Sequence, residues 1–232
     1  MILHKAANQG LLKSRWHLAN AYEMQIITLR AMKTRNISQV LLSFCIPGAV
    51  TALWTGWGGN ILNNRWASDT AVCGKTVESI RQHCHLGGFA QGVSAPPAIH
   101  EDVAYFPSWD GLVTAYEYRT CAIRWQTNIT AFLQQYAAPD PDQVLFSPPV
   151  SRTTPQIDGD VLYIGTQRYA LLLALDLETG VVVAHVQINP HPLAIVTMSP
   201  TFHNGKIFIG TASAEESAAT DPVCEHDAVH VS

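Results

Sequence analysis

Hydrophobic and polar positions along this chain follow the same pattern three times. A proline is followed by a short apolar stretch, a tight polar turn, and a second apolar stretch that ends in a small polar residue. The three copies are Pro97–Ser108, Pro155–Thr166 and Pro200–Thr211. Repetition at a period of roughly 45–60 residues indicates a modular β architecture, in which each copy supplies one supersecondary unit.

The first copy continues into two further predicted strands. A strand pair is predicted over Ala98–Phe106, a third strand over Leu112–Tyr118 and a fourth over Ala122–Ile129. Gly111 supplies the positive φ that the sharp turn before the third strand requires. Four short antiparallel strands in about 35 residues are typical of one blade of a β-propeller.

The second copy aligns with the first and extends it, whereas the third copy stops early. In the second copy, Leu171–Leu175 and Val181–Ile188 are nearly all apolar, so we expect both strands to be covered on both faces by neighbouring blades. No pattern of further strands is present in residues 212–232. Residues 130–150 are rich in Pro and Gln, and they predict a long loop that serves as a functional rim or lid.

These copies predict an all-β protein that forms part of a β-propeller. Residues 53–211 hold two full four-stranded blades and a partial third, and residues 212–232 are interpreted as a truncated tail. Closed propellers have roughly four to eight blades, and each blade buries its faces only against its neighbours. We therefore expect the chain to be an N-terminal piece of a longer propeller.

The residues before the first copy differ in composition from the rest. Residues 1–31 favour a helical extension, which we interpret as an over-extended gene model upstream of a true start at Met32. Residues 32–52 have a basic start, an uncharged run over 37–50 and a small-residue exit at Val50–Ala52. That order predicts a secretory signal peptide and is too short to favour a membrane span. The alternative is a buried strand or helix of a cytosolic protein.

Charge and cysteine content narrow the possible partners and the compartment. The net charge of −4 leaves no basic surface, so we expect no nucleic-acid partner. A mature chain without residues 32–52 has no candidate membrane span. A glycosylation sequon at Asn128–Thr130 supports secretion slightly. Removal of the signal leaves four of the five cysteines; Cys73 and Cys84 are one possible pair, but the connectivity stays open.

Short motifs between residues 54 and 224 carry a family resemblance. They are Trp57–Asn60, Asn63–Trp66, Ser94–Ala98, Tyr105–Gly111, Trp125, Ser151–Pro155, Asn189–Pro192, Thr197–Pro200 and Gly210–Glu216. In combination they resemble the quinoprotein alcohol dehydrogenase-like propellers, especially the polyvinyl-alcohol-dehydrogenase-like branch. The resemblance implies an eight-bladed ring with pyrroloquinoline quinone and Ca²⁺ on its axis. It also implies oxidation of a small or polymeric alcohol to a carbonyl, with an electron acceptor that the sequence does not identify.

The resemblance also implies site residues. Glu215 stands where the related enzymes place a calcium-binding glutamate, and Ser213 and Ala214 stand where they line the cofactor. Thr197 matches a hydroxyl that holds a cofactor carboxylate, and Arg152 is a further candidate because guanidinium groups pair bidentately with carboxylates. The alternative for Glu215 is a solvated acidic turn. For Thr197 it is a strand cap, and for Arg152 it is a surface or turn residue. Trp109 and Trp125 are interpreted as packing residues between blades.

Departures from the family limit the functional expectation. The relatives carry two adjacent cysteines shortly after the glutamate segment, but here Glu225 follows Cys224 directly. A catalytic base must reach the alcohol proton, and no residue of this chain is identified for that role. We therefore expect this chain alone to be inactive. The alternatives are a non-catalytic propeller scaffold for protein interaction and a fragment that does not fold stably.

Overall fold

The structure is a computed structural model that describes residues 23–28, 53–60, 62–65, 78, 80–89 and 91–218, with backbone alone over 23–28. Its strands are β1 (Glu23–Thr28), β2 (Leu53–Trp54), β3 (Ala98–His100), β4 (Val103–Pro107), β5 (Leu112–Glu117), β6 (Ala122–Asn128), β7 (Gln156–Asp158), β8 (Val161–Gly165), β9 (Leu171–Asp176), β10 (Val182–Gln187), β11 (Ala194–Ile195), β12 (Thr201–His203) and β13 (Lys206–Ser213). Its helices are α1 (Ile129–Tyr136), α2 (Pro141–Phe146) and α3 (Glu215–Ala218). The predicted all-β class is confirmed.

The first blade is an antiparallel sheet in the order β2-β3-β4-β5-β6. Its last four strands are the predicted ones, with bounds within one residue of those expected. Gly111 has a φ of 76°, as the turn before β5 requires. Alternation along β4 buries Val103, Tyr105 and Pro107 on one face. The local period of two was therefore sufficient to predict this blade.

The second blade has the order β10-β9-β8-β7, and its last two strands along the chain differ sharply in burial. Buried leucines fill β9, but β10 is largely exposed, with Val183 57% exposed. The expectation that both strands are covered on both faces is wrong for β10, because no neighbouring sheet packs over its side chains. At the β9–β10 turn, the side chain and backbone of Thr179 hydrogen-bond Asp176 and lower the pKa of that carboxyl.

The third sheet is completed by residues that the sequence pattern did not assign to it. Strand β13 pairs with β12, β11 and β1, all antiparallel. Residues 23–28 are therefore an extended strand, and the helical prediction for 1–31 is wrong at this segment. Strand β13 also runs two residues past Thr211, and α3 follows it.

Residues 130–150 hold two helices rather than the predicted loop. The first helix, α1, buries Ile129 and Leu133 in the core that the first two blades share. The second ends against Arg168, whose Nε donates a hydrogen bond to the carbonyl of Ser147 at 2.9 Å. The Tyr169 hydroxyl donates to the carbonyl of Ala137 at 2.6 Å. These contacts fasten the insertion to the second blade.

The Asn128 side chain begins α1 and leads to a first prediction. Its Oδ1 accepts a hydrogen bond from the Ala131 amide at 2.9 Å, as expected of an N-cap. Asn128→Ala should lower the free energy of unfolding by about 1 kcal/mol, because a helix amide loses its acceptor. Asn128→Asp is the control, since aspartate caps equally well. Urea denaturation measures both, and equal losses in the two variants would contradict the capping role.

Two hydrophobic clusters join the three sheets. One cluster spans the first two blades, and the Trp125 indole donates a hydrogen bond to the carbonyl of Leu177 across that junction at 3.1 Å. The predicted packing role of Trp125 between blades is thereby confirmed. The second cluster joins the second and third blades through Tyr163, Val196 and Ile207. The blades are thus held in fixed relation by continuous apolar packing.

Cys84 and Cys121 form a disulfide, with a Cα–Cα distance of 5.6 Å. The bridge joins the segment before the first blade to its β5–β6 turn, so the suggested pairing of Cys73 with Cys84 is wrong. The predicted signal peptide over 32–52 lies outside the described residues. Among the residues that the structure describes, no helix is long and apolar enough to cross a membrane.

Candidate functional site

A cavity of about 530 Å³ opens where one segment from each blade meets the other two. Each segment lies just before the first repeated strand of its blade, which is β3, β7 or β12, so the strand pairing positions it. The lining residues are Trp57, Ser94, Pro96, Arg152, Thr154, Thr197, Met198, Ser199 and Thr201. A volume of roughly 300–1,000 Å³ is the usual size of a small-molecule site. The cavity is therefore the candidate functional site.

The lining positions are equivalent in the sequence repeat. Ser94, Arg152 and Thr197 are separated by the same intervals as the three prolines that open the copies, and each precedes its proline by three residues. Pro96, Thr154 and Ser199 form a second equivalent set, each one residue before its proline. Because the copies contribute equivalent positions to one cavity, the cavity lies along the direction about which the blades are arranged.

The charge of the cavity is carried by Arg152. Its guanidinium carbon lies 5.8 Å from the centre of the Trp109 ring, a cation–π arrangement that orients the side chain. The remaining polar lining consists of hydroxyl groups, and none of the lining residues in the described part of the chain is acidic. A cation surrounded by hydroxyl donors suits an anionic ligand with several oxygen acceptors.

The Thr154 hydroxyl is a buried polar group of this wall. The residue is 1% exposed, and its Oγ1 has no hydrogen-bond partner among the described residues. The backbone is well held, since the Thr154 amide donates to Ser199 Oγ at 2.9 Å. The adjacent Thr153 Oγ1 accepts a hydrogen bond from the Gly165 amide at 3.0 Å. A buried unpartnered hydroxyl costs about 1–3 kcal/mol, which a ligand acceptor would recover.

The predicted calcium segment lies at the end of β13 and the start of α3. The Ser213 hydroxyl donates to Glu215 Oε2 at 2.7 Å and accepts from the Glu215 amide at 3.1 Å. His191 Nε2 lies 3.5 Å from Glu215 Oε1, while its Nδ1 accepts from the Leu193 amide. Ala214 is buried against Leu193. Glu215 therefore has three local contacts and remains about half exposed.

The structure brings together only part of the predicted site. Arg152 and Thr197 line the same cavity, whereas Ser213, Ala214 and Glu215 are not among its lining residues. The sequence reasoning did not single out Thr154 or the His191–Glu215 contact. The sequence repeat could have identified Thr154, since its position before Pro155 places it beside Arg152 in the cavity wall. The His191 contact joins two loops and left no such signal.

A cluster of possible metal ligands outside the cavity includes the two disulfide cysteines. Within the described ranges, His83, Cys84 and Cys121 form the one group of three His, Cys, Asp or Glu ligand atoms close enough to share an ion. Both sulfurs belong to the disulfide, and the thiolate is the form of cysteine that binds metals. These three residues are therefore explained by the bridge.

Comparison with known proteins confirms the resemblance of this chain to quinoprotein alcohol dehydrogenase-like propellers. A polyvinylalcohol dehydrogenase of Pseudomonas sp is 23% identical over 174 residues, which are 72% of this chain and 24% of that protein. No protein-family model matches the chain. The chain thus spans about a quarter of the length of the curated relative that it matches.

Solved structures show the same fold at low sequence identity. The quinohemoprotein alcohol dehydrogenase of Comamonas testosteroni matches with a TM-score of 0.55 and 22% identity, over 72% of this chain and 25% of that one. A europium-containing methanol dehydrogenase matches with a TM-score of 0.56 and 17% identity, over 69% of this chain and 27% of that one. The partial β-propeller class is thereby confirmed.

Proposed function

We propose that this chain forms part of the cofactor-binding face of a quinone-dependent, alcohol-oxidising β-propeller. One observation carries the proposal: three repeat-equivalent segments line a single cavity that presents one arginine, several hydroxyls and no described acidic group. The similarity to alcohol dehydrogenases supports the reaction class. The substrate would be a small or polymeric alcohol. The catalytic base and the electron acceptor are not assigned to any residue of this chain, which we expect to be inactive alone.

The residues of the cavity suit pyrroloquinoline quinone, a planar tricarboxylate. Arg152 would hold one carboxylate through its guanidinium, and Thr197 would donate its hydroxyl to another. The unpartnered Thr154 hydroxyl would gain an acceptor. The hydroxyl donors would orient the ligand, and the walls of the partly closed cavity would exclude water from it. When bound, the quinone would supply a hydride acceptor for alcohol oxidation, and Ca²⁺ would supply a Lewis acid.

Glu215 is the proposed calcium ligand. Ca²⁺ takes oxygen ligands, and a carboxylate is the strongest of these in proteins. The Ser213 hydroxyl orients one carboxylate oxygen. The second oxygen faces His191, and binding of a cation there would replace the His191 contact. Ala214, packed against Leu193, fixes the backbone of this segment.

Thr154→Val is expected to separate stability from cofactor binding. Without ligand the variant should gain about 1 kcal/mol of unfolding free energy, because a buried unpartnered hydroxyl becomes a methyl group. With pyrroloquinoline quinone and Ca²⁺ its affinity should fall about tenfold, since one hydrogen bond to a charged group is lost. Thermal melts of the full chain, with and without quinone and Ca²⁺, measure both effects. The wild type should gain about 2–3 kcal/mol at a hundredfold excess of quinone over its Kd.

Ser147→Ala is the matched control for this experiment. Ser147 also carries a buried hydroxyl without a partner among the described residues, but it does not line the cavity. Its removal should stabilise the chain without altering the quinone shift. Glu215→Gln should abolish the calcium dependence of that shift. A folded wild type that shows no shift with quinone and Ca²⁺ would refute the proposed function.

A second candidate function is a non-catalytic propeller scaffold for protein interaction. It is favoured by the exposed apolar strand β10, on which Val183 is 57% exposed and the neighbouring Val181 is 59% exposed. Large exposed apolar side chains on a strand at the edge of its sheet suit pairing with another protein. A scaffold would show no response to quinone, so the same melts distinguish the two functions.

Secretion is proposed as the cellular context. The Cys84–Cys121 disulfide supports it, because disulfides persist in oxidising compartments outside the cytosol. Asn128 of the sequon caps α1, and the Thr130 hydroxyl donates to the carbonyl of Pro149 at 2.8 Å. The cap uses Asn128 Oδ1 and leaves the side chain exposed, so a glycan on Nδ2 is compatible with the folded chain.

A further inference from the structure

A second, smaller cavity adjoins the candidate functional site. It measures about 140 Å³ and lies between residues 55–63, the start of β7 and the start of β12. Trp57 and Thr201 belong to the walls of both cavities, so the two cavities are neighbours. The Ile157 amide donates to the carbonyl of Thr55 at 2.7 Å, which fastens the segment to β7. A volume below the roughly 300–1,000 Å³ of a complete small-molecule site suits one part of a longer ligand.

Two glycines make room for amide side chains in this cavity. A Cβ on Gly56 would lie 2.9 Å from Cδ of Gln156 and closer still to its Oε1. A Cβ on Gly58 would lie 2.8 Å from Cα of Asn63 and 2.9 Å from its Cγ. A larger residue at either glycine would therefore displace an amide group from the cavity wall.

The polar groups of the second cavity keep hydrogen-bonding capacity for a ligand. Gln156 Nε2 donates to the carbonyl of Ile157 at 3.1 Å, which leaves Oε1 as an acceptor. The Asn63 side chain makes no hydrogen bond to another described residue. Thr55 and Thr201 add two hydroxyls to the wall. Amide groups and hydroxyls each offer both a donor and an acceptor, and a ligand hydroxyl is matched by the same combination.

The remaining lining residues favour a neutral carbon chain. Of the described residues that line this cavity, none is charged, so it gives no preference to an ion. Trp57 and Phe202 supply aromatic rings, whose faces pack against the C–H groups of a carbon chain. The guanidinium carbon of Arg65 lies 4.5 Å from the centre of the Trp57 ring and holds the ring in place.

We propose that the second cavity binds neighbouring hydroxyl groups of a linear polyol. The aromatic rings would pack against its carbon chain, and the amide groups and threonine hydroxyls would pair with its hydroxyls. Binding at this cavity needs no quinone. Because the two cavities share a wall, the inference also names the substrate class of the proposed alcohol oxidation, and in that respect it rests on the proposed function.

Saturation-transfer NMR of the full chain with sorbitol tests the site. Triethylene glycol is the ligand control, because it has the same number of carbons but ether oxygens in place of the interior hydroxyls. Sorbitol should receive saturation from the protein, and triethylene glycol should not. Equal saturation of the two compounds would overturn the proposal.

Gln156→Met assigns the binding to this cavity, because it keeps the length of the side chain and removes the amide. The Kd for sorbitol should rise about fivefold, which corresponds to the loss of one neutral hydrogen bond. Gln126→Met, which removes an exposed amide on β6, is the matched control and should leave the Kd unchanged. An unchanged Kd in Gln156→Met would place sorbitol elsewhere and contradict the site.

Asn63→Gly provides a second variant on a different element. Asn63 has a φ of 49°, a conformation that glycine adopts without strain, so the substitution removes the amide and keeps the backbone. It should also raise the Kd for sorbitol about fivefold. A Kd equal to that of the wild type would remove Asn63 from the site.

Melts with quinone and Ca²⁺ keep this inference apart from the proposed function. Gln156 and Asn63 do not line the first cavity, so their variants should show the same quinone shift as the wild type. A wild type that binds sorbitol but shows no quinone shift would refute the proposed function and retain the polyol site. A wild type that shows the quinone shift but does not bind sorbitol would overturn the polyol site alone.

Discussion

Gly165→Ala is expected to lower the free energy of unfolding by about 3 kcal/mol. Gly165 ends β8 at the junction of the second and third blades. A Cβ at this residue would lie 2.9 Å from Cβ of Val196, closer still to its Cγ1, and 3.2 Å from Cγ2 of Thr153. Both neighbours are fully buried and cannot move freely. Overpacking of a close-packed core costs about 1–3 kcal/mol, and this site is at the upper end because two side chains must shift.

A double-mutant cycle with Val196→Ala isolates the steric cause. Val196→Ala alone should cost about 2 kcal/mol through lost apolar contact. In the double variant the new methyl fills the space that valine leaves, so the total loss should be at least 1 kcal/mol smaller than the sum. Urea denaturation of the four proteins gives the coupling. Strictly additive losses would show that the two residues are not in contact.

The same substitution bears on the candidate site. The Gly165 amide donates to Thr153, the residue before Thr154, and Val196 immediately precedes Thr197. Displacement at this junction therefore moves two walls of the cavity. We expect Gly165→Ala to weaken the thermal shift produced by quinone and Ca²⁺, and Val196→Ala to restore part of it.

Loss of the Cys84–Cys121 disulfide is expected to cost about 4 kcal/mol, through the greater freedom of the unfolded chain. The bridge closes a loop whose ends are 37 residues apart. Among the described residues just after Cys84, few hydrogen bonds to the rest of the chain are formed, so the bridge supplies much of the restraint on this segment. The variant Cys84→Ser with Cys121→Ser should melt at the same temperature as the reduced wild type.

Cys73→Ser is the control for the disulfide prediction. If Cys73 were the partner of Cys84, Cys73→Ser should destabilise the chain as much as Cys84→Ser does. The structure predicts that Cys73→Ser leaves the Cys84–Cys121 bridge intact and that Cys121→Ser removes it. Thermal melts with and without a reductant provide the comparison. Equal melting of oxidised and reduced wild type would contradict a stabilising bridge.

Strand positions were predictable because their signal is local. Alternation in Val103–Pro107 and the apolar run Leu171–Leu175 lie within single segments, and glycine turns mark their ends. The burial of β10 was mispredicted because its valines satisfy the same local rule while no sheet covers them. The helices of 129–146 were missed because the prolines of this segment favour loops. Gln is in fact a good helix former, and burial of Leu133 in the core stabilises α1.

The amino-acid order alone established the repeat, and with it the blade architecture and the equivalence of Arg152 with Thr197. It did so because strands and turns are encoded by neighbours a few residues apart. Three features depended on contacts between distant parts of the chain: the pairing of β1 with β13, the bridge between Cys84 and Cys121, and the convergence of three segments on one cavity. Only the tertiary structure buries the Thr154 hydroxyl without a hydrogen-bond partner among the described residues. Such contacts form when packing brings remote segments together, and no local pattern specifies them.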